Sequence, residues 1–100
     1  MAEKSKFVVE YSKQSLINAK DIVFYLRIKF SEKEVNNFYL AISDFEKIIT
    51  VYPILYPESS KKGIRRAVLS KVLTIYYSVK KNKIRIVAIF DNRWDENMKL

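Results

Sequence analysis

The sequence predicts an α+β fold in which a helical hairpin packs on a small, mainly antiparallel β-sheet. Three observations carry this prediction. A β-branched and aromatic segment opens the chain, two long segments follow whose apolar residues recur every three or four positions, and the period changes to two after Gly63. One hundred residues are enough for one compact unit. We therefore expect residues 1–100 to form a single domain with the element order β-α-α-β-β-β.

The first strand is predicted over Lys6–Tyr11, where β-branched and aromatic residues predominate. Ser12 can then cap a helix that runs to about Lys29. The apolar residues of this helix recur at steps of three and four and predict one buried face. They are Leu16, Ala19, Val23, Leu26 and Phe30.

A second helix is predicted to start at Ser31, because Ser31 with Glu34 matches a capping box. Pro53 ends this helix, since the residue before a proline is driven out of helical geometry. The two apolar stripes should pack on each other and on the sheet. The stripe of the second helix consists of Val35, Phe38, Ile42, Phe45, Ile49 and Tyr52.

The only substantial loop is Tyr52–Gly63, which holds both prolines and the single glycine. After it we expect three strands, joined by tight turns near Ser70-Lys71 and Lys81-Asn82. These strands are Ile64–Leu69, Val72–Val79 and Lys83–Phe90. In the last strand alternation should bury Phe90 on the same face as Ile84, Ile86 and Ala88.

The net positive charge of the chain lies entirely in residues 61–100. Through Ser60, eight acidic residues balance eight basic ones, whereas Lys61 to Leu100 holds eleven basic residues and three acidic ones, which accounts for the formal +8. Lys61 to Phe90 contains no acidic residue at all. Such a one-sided field attracts polyanions.

Several chemistries are excluded by composition. Histidine and cysteine are absent, so no Cys/His zinc site, no imidazole-based triad and no disulfide framework can form. The acidic residues are too scattered to favour a metal site, and no glycine-rich phosphate loop is present. We expect no cofactor, no membrane span and an intracellular location.

What remains is a basic loop and sheet interleaved with hydroxyls and aromatic rings. Arg and Lys neutralise phosphates, and Tyr or Trp can stack on unpaired bases. A metal-free ribonuclease needs only the substrate's 2′-hydroxyl, a proton acceptor, a proton donor and cations. The alternative is a solvated basic face. The residues concerned are Lys61, Lys62, Arg65, Arg66, Lys71, Thr74, Tyr76, Tyr77, Arg85, Arg93 and Trp94.

The order and spacing of three segments resemble the RelE/ParE superfamily of type II toxins. These segments are the Tyr52-Pro53 loop leading to Gly63-Ile64-Arg65, then Leu73–Val79, then Ile84–Arg93. The resemblance extends from Lys6 onward. It implies a toxin that a cognate antitoxin, usually encoded beside it, holds silent in the cytoplasm, and it allows a toxin–antitoxin heterotetramer.

The resemblance also implies two modes of poisoning. RelE-like members cut mRNA in the ribosomal A site, and ParE-like members inhibit DNA gyrase without cutting RNA. Because the charge is concentrated around the proposed active surface, we favour the ribosome and mRNA slightly over gyrase. A non-toxic basic module that binds nucleic acid is the alternative outside the family.

Carried over residue by residue, the resemblance is partial. Arg93 falls where RelE-like toxins place a catalytic arginine, and Arg65 and Lys61 lie in the region that supplies their other catalytic residues. A second catalytic arginine of the family is Thr74 here, and no tyrosine follows Trp94. An ion pair with Asp91 or Asp95 is the structural alternative for Arg93. Our candidates for binding nucleic acid are Lys62, Arg66, Lys71, Tyr76, Arg85 and Trp94.

Overall fold

A computed structural model describes residues 7–94, and the observed element order is the predicted one. The elements are β1 (Val8–Tyr11), α1 (Lys13–Lys29), α2 (Glu32–Ile49), β2 (Arg65–Val68), β3 (Leu73–Lys80) and β4 (Lys83–Asp91). Each boundary lies within a few residues of the sequence prediction. Lys6, the predicted start of the first strand, lies outside the described residues. Within residues 7–94, no helix has the length and apolar character that a membrane crossing requires.

The four strands form one mixed sheet in the order β1-β4-β3-β2. Strand β1 pairs in parallel with β4, and the other two pairings are antiparallel, as the prediction of a mainly antiparallel sheet requires. The helical hairpin connects β1 to the opposite edge of the sheet. The chain then returns through β2, β3 and β4 as a meander, so that β4 lies in the interior of the sheet between β1 and β3.

A β-bulge in the β3–β4 pairing changes which residues of β4 are buried. Tyr76 faces Ala88 and Tyr77 faces Ile86, which leaves Val87 as the extra residue. Ile86, which precedes the bulge, is fully buried. After the bulge the buried residues of β4 are Ile89 and Asp91. Our prediction that Phe90 is buried with Ile86 is therefore wrong: Phe90 is half-buried on the other face, with its ring 5.7 Å from that of Tyr76.

The core lies between the hairpin and the sheet. Phe45 of α2 packs edge-on against Tyr77, with ring centroids 5.5 Å apart, and Tyr77 has no exposed surface. Three ends of the predicted stripes are wrong, because Leu16, Phe30 and Tyr52 are 56%, 46% and 62% exposed. The helical residues that are buried in the core are Ile22, Val23, Leu26, Val35, Phe38, Phe45 and Ile49.

The start of α1 covers the edge of β4 beyond the end of β1. The Ser12 hydroxyl accepts a hydrogen bond from the Ser15 N–H at 3.0 Å, which caps the helix, and donates to the Val87 carbonyl at 2.8 Å. The Asn18 side-chain oxygen accepts from the Ile89 N–H at 3.1 Å. These side chains replace the strand partner that β4 lacks at this point.

The predicted capping box of α2 does not form. Ser31 precedes the helix, but its side chain makes no capping hydrogen bond; its carbonyl accepts the N–H groups of Glu34 and Val35 instead. The Glu34 carboxylate turns to Arg93, 59 residues further along the chain. The helix also ends before Pro53, at Ile49.

The loop between α2 and β2 is fastened to the sheet by two side chains. The Tyr77 hydroxyl donates to the Pro53 carbonyl at 2.8 Å, and the Arg65 guanidinium donates to the Tyr56 carbonyl at 2.6 Å. Gly63 adopts φ 85°, a left-handed conformation that favours glycine, and its N–H donates to the Glu58 carboxylate at 2.8 Å. These hydrogen bonds join the loop to the sheet and close its turn at Gly63.

Candidate functional site

The sheet face opposite the helices, which we call the open face, carries the predicted basic and aromatic side chains. Arg66 of β2 faces Tyr76 of β3, and its Nε donates to the Tyr76 hydroxyl at 3.2 Å. Tyr76 in turn meets the edge of Phe90. Arg66 is exposed and both rings are half-buried, so this group presents a cation and two aromatic edges to solvent.

Arg85 also lies on the open face, but a neighbouring carboxylate, that of Glu10, offsets its positive charge. Its guanidinium donates to the Glu10 carboxylate at 2.7 Å, and Lys83 lies 3.6 Å from the same carboxylate. The hydrogen bond from Arg85 holds the pKa of Glu10 below its usual value. Arg85 is thus a weaker attractor of phosphate than Arg66, for which no ion pair is found within residues 7–94.

Arg93 follows β4 and is held by two carboxylates and a ring. Its guanidinium binds Asp91 through Nε at 3.1 Å and Nη2 at 2.9 Å, and Nη1 lies 3.4 Å from Glu34 of α2. The guanidinium carbon sits 4.4 Å from the centre of the Phe30 ring. The hydrogen bonds to Asp91 raise the pKa of Arg93. Of its two predicted ion-pair partners, Asp91 is confirmed and Asp95 lies outside the described residues.

Trp94 lies against the helices and away from the open face. Its ring stacks on Tyr25 of α1 with centroids 5.4 Å apart and planes inclined by 13°. The backbone N–H groups of Arg93 and Trp94 both donate to Asp91, which caps the short helical turn after β4. Trp94 is therefore separated from Tyr76 and Arg66, with which it was grouped as a candidate for binding nucleic acid.

Two of the three candidate catalytic residues, Arg65 and Arg93, do not come together. Arg65 faces Tyr77 of β3, whereas Asp91, two residues before Arg93, faces Leu73. The rise per residue of a strand places these two rows about 13 Å apart along β3. The Arg65 guanidinium is also engaged by the loop carbonyl described above. Lys61 and Lys62 are exposed in the turn before β2, and Lys71 is exposed in the turn before β3, beside Asn92.

Thr74, which the sequence resemblance aligns with an arginine of the family, is not available to a ligand. It is 3% exposed, and its hydroxyl lies 3.4 Å from the Asn92 amide nitrogen. Within residues 7–94, no group of three or more carboxylates is placed to hold a metal ion. The roles that we assigned to the basic and aromatic candidates remain predictions.

Sequence reasoning missed two features of the helices. Glu34 and Phe30 contact the Arg93 guanidinium, and no local sequence pattern predicts either contact. The outward side of α1 carries an apolar row of Ile17, Phe24 and Ile28, which are 45%, 67% and 63% exposed. Beside this row lies an open cavity of about 410 Å³, formed by α1 and Trp94. The sequence signal that could have revealed this row is that α1 carries apolar residues on two opposite sides.

Comparison with known proteins establishes the fold. A chain of the chromosomal ParDE TA system from P. aeruginosa superposes with a TM-score of 0.73 at 13% sequence identity, over 88% of this chain and 98% of that one. A chain of the E. coli DinJ-YafQ toxin-antitoxin complex gives 0.58 at 13% identity, over 89% and 96%. The YoeB dimer from Staphylococcus aureus gives 0.58 at 18% identity, over 85% and 95%.

No protein-family model matches the sequence, and no curated protein matches it either. At these low sequence identities, the structural similarity shows only that the chains share a fold. The chain has the RelE/ParE-like α+β fold, as the resemblance of its sequence segments predicted.

Proposed function

We propose that this protein is the toxin of a type II toxin–antitoxin system, growth-inhibitory when alone in the cytoplasm and neutralised by a cognate antitoxin. The observation that carries the proposal is the fold, which chains of the ParDE system and of the DinJ-YafQ toxin-antitoxin complex share over nearly their whole length. The accumulation of cations beyond Lys61 supports a polyanionic target.

For the target we propose the ribosome and its mRNA. The supporting geometry is the open face, where Arg66 can contact a phosphate while Tyr76 and Phe90 offer aromatic surface to an unpaired base. Cleavage would use the substrate's own 2′-hydroxyl, and cations would stabilise the charge that develops on the phosphate. The reaction that we propose requires no metal ion.

A second candidate is a ParE-like inhibitor of DNA gyrase that cuts no RNA. The observation that favours it is the state of the family's catalytic positions in this chain. Arg93 is neutralised by Asp91 and Glu34, and Thr74 is buried. An inhibitor that only binds its target does not require these positions to act on a phosphate.

Induced expression of the chain alone tests the proposal and separates the two targets. We expect growth arrest, with mRNA cut at the ribosomal A site and with gyrase supercoiling unaffected. Arrest with intact mRNA and inhibited supercoiling would select the gyrase candidate. A chain that is harmless when expressed, and that binds no product of a neighbouring gene, would contradict the toxin proposal itself.

Substitution of Arg93 tests whether it takes part in cleavage. Under the nuclease proposal, Arg93→Ala should lower the cleavage rate by roughly 100-fold, as loss of one donor to an oxyanion does. It should also destabilise the fold by about 2 kcal/mol, because the nearly buried Asp91 loses its charged partner. Arg93→Lys separates the two effects, since it keeps the charge but loses the two-pronged hydrogen bonding. Full cleavage by folded Arg93→Ala would exclude Arg93 from the reaction.

Charge reversal on the basic side tests RNA contact. Lys62→Glu with Arg66→Glu should weaken ribosome binding strongly and leave the fold intact, because both residues are exposed. Arg65 is a poor choice for this experiment, since it fastens the loop. Unchanged ribosome binding by the double variant would mean that the basic side is only a solvated face.

A further inference from the structure

A small cavity opens on the helix side of the sheet, between α2, the turn before β3 and the end of β4. Its volume is about 190 Å³. Its floor is apolar, because the buried side chains of Leu26, Phe38 and Leu73 line it. Pockets for drug-sized ligands usually measure roughly 300–1,000 Å³, so this cavity admits a smaller group. A single flat aromatic ring system is a ligand group that suits such a space.

Two polar side chains of α2 also line this cavity. Glu34 and Asn37 are three residues apart, which places them on one side of the helix. The Asn37 amide makes no hydrogen bond within the described part of the chain, so its oxygen and its NH2 group are both available. One Glu34 oxygen lies 3.4 Å from the Arg93 guanidinium, and the other oxygen can accept a further hydrogen bond. The cavity therefore combines an apolar floor with one donor and two acceptors.

This set of donors and acceptors matches the edge of adenine. An asparagine amide pairs with adenine at two points, because its oxygen accepts from the N6 amino group and its NH2 group donates to N7. The second hydrogen of the amino group can be donated to the Glu34 carboxylate. Guanine and uracil carry a carbonyl oxygen in place of the amino group, and that oxygen has no hydrogen to offer a carboxylate. Cytosine keeps the amino group, but its single ring covers less of the apolar floor.

Exposed cations flank the cavity on two sides. Lys71 lies between Ser70 and Val72, which both line it, and Lys33 precedes Asn37 by about one helical turn. Neither lysine makes an ion pair among the residues that the structure describes. A phosphate attached to a base in the cavity would be attracted by these charges. Such contacts add affinity without distinguishing one base from another.

We propose that this cavity is a binding site for a single adenine nucleotide, with the base on the apolar floor, its edge at Asn37 and Glu34 and its phosphate near Lys71. The nucleotide has two sources, an unpaired adenosine of an RNA chain or a free mononucleotide, which present the same base edge and a phosphate. The inference goes beyond the proposed function, because it requires neither toxicity nor cleavage. The site also lies on the opposite side of the sheet from the open face.

Calorimetric titration of the purified chain with AMP and with GMP tests the site. The two mononucleotides share their sugar and phosphate, so that a difference in affinity reports recognition of the base. We expect AMP to bind at least about tenfold more tightly than GMP, as a correctly paired base edge allows. Equal affinities, a preference for GMP or absence of AMP binding would overturn the proposal.

Variants of α2 locate the binding. Asn37→Ala should weaken AMP binding about tenfold and remove the preference over GMP. Asn36→Ala is the matched control, because Asn36 is also an exposed asparagine of α2 but does not line the cavity, and it should leave both affinities unchanged. Ala41→Leu keeps every polar group and places a larger side chain in the cavity, so it should abolish AMP binding. Full AMP affinity in Asn37→Ala, or in folded Ala41→Leu, would exclude this cavity.

Replacement of Lys71 tests the position of the phosphate. Lys71→Ala should weaken AMP and GMP by the same factor, roughly fivefold, and leave the ratio of their affinities unchanged. Unchanged affinities in this variant would overturn the placement of the phosphate near Lys71.

Two short RNAs, UUAUU and UUGUU, identify the source of the nucleotide. If the site takes a base from RNA, UUAUU should bind more tightly than both AMP and UUGUU. If the site takes a free nucleotide, AMP should bind more tightly than UUAUU, because the flanking nucleotides obstruct entry. Either result supports the site, whereas a preference for UUGUU over UUAUU would overturn it.

Failure of this site and failure of the proposed function are distinguishable. If the chain arrests growth but binds AMP and GMP equally, the nucleotide site is wrong and the toxin function stands. If the chain is harmless but prefers AMP, and Asn37→Ala removes that preference, the toxin function is wrong and the nucleotide site stands.

Discussion

The two helices of the hairpin are nearly equal in length, with 17 residues in α1 and 18 in α2, but they relate differently to the rest of the molecule. Helix α2 has four acidic and two basic residues, a charge of −2, against +3 for α1. Its exposed apolar side chains, Tyr39, Leu40 and Ile48, point in three separate directions, since successive residues are 100° apart. On α1, Ile17, Phe24 and Ile28 align in one row, and the exposed Leu16 lies to one side of it. The described fold therefore covers the apolar side of α2 but leaves an apolar row on the outer side of α1 exposed.

The two helices also differ in the contacts that they make with the rest of the domain. Helix α2 fastens the domain: Phe45 packs on Tyr77, Glu34 reaches Arg93, and the Glu46 carboxylate accepts a hydrogen bond from the Tyr11 hydroxyl of β1. Burial and the neighbouring Glu46 raise the pKa of Tyr11 well above its usual value. Helix α1 contributes to the same core and leaves its outer apolar row exposed.

The largest expected difference between the helices is the cost of removing a phenylalanine ring. Phe45→Ala on α2 should lower the free energy of unfolding by about 4 kcal/mol, because the ring is 2% exposed and leaves a cavity against Tyr77. Phe24→Ala on α1 should change it by less than about 0.5 kcal/mol, because the ring is 67% exposed. Urea unfolding of the two variants measures both values. A large loss for Phe24→Ala would show that the outer row already packs within the chain.

The two helix starts provide a smaller contrast. Ser12→Ala should cost about 1 kcal/mol, because it removes the cap of α1 and the hydrogen bond to Val87. Ser31→Ala at the start of α2 should change the free energy of unfolding by less than about 0.5 kcal/mol, since its side chain caps nothing. Thermal unfolding of both variants checks this. Equal losses would mean that the Ser31 hydroxyl also caps its helix.

The smallest expected effect concerns the ion pair between the helices. The hydrogen bond from Arg27 lowers the pKa of Glu32 below 4.5, so the pair stabilises the fold above about that pH and this contribution is lost as the pH falls further. Both side chains are exposed, and the effect is small. Glu32→Gln should therefore lower the free energy of unfolding slightly at neutral pH. In this variant the free energy of unfolding should also fall less steeply as the pH is lowered. Urea midpoints between about pH 7 and about pH 3 test it; an equally steep fall in the variant would contradict the assignment.

Local patterns were sufficient to predict the elements of this fold. The six elements, the cap at Ser12 and the turns near Ser70-Lys71 and Lys81-Asn82 follow from residues that are close in sequence. The burial of one of Tyr76 and Tyr77 follows from simple alternation, and Tyr77 is the buried one. Each of these features depends on contacts that periodicity and turn chemistry describe.

The features that sequence reasoning missed depend on partners that are distant in the chain. The bulge at Val87 arises in the pairing with β3 and with the start of α1, and it reversed our expectation for Phe90. Glu34 belongs to a capping pattern by its spacing, yet the end of β4 brings Arg93 within its reach. The candidate site is divided for the same reason: Arg65 pairs with Tyr77 in the sheet, whereas Arg93 follows Asp91, which pairs with Leu73. No spacing in the sequence reveals this separation.

We assign the toxicity of this chain to the open face, where Arg66, Tyr76 and Phe90 contact one another. The most direct measurement is growth after induced expression of the wild-type chain and of the Arg66→Glu, Tyr76→Ala variant. We expect the wild-type chain to arrest growth and the folded variant to leave growth unaffected while it still binds the cognate antitoxin. Full growth arrest by the folded variant would contradict this assignment.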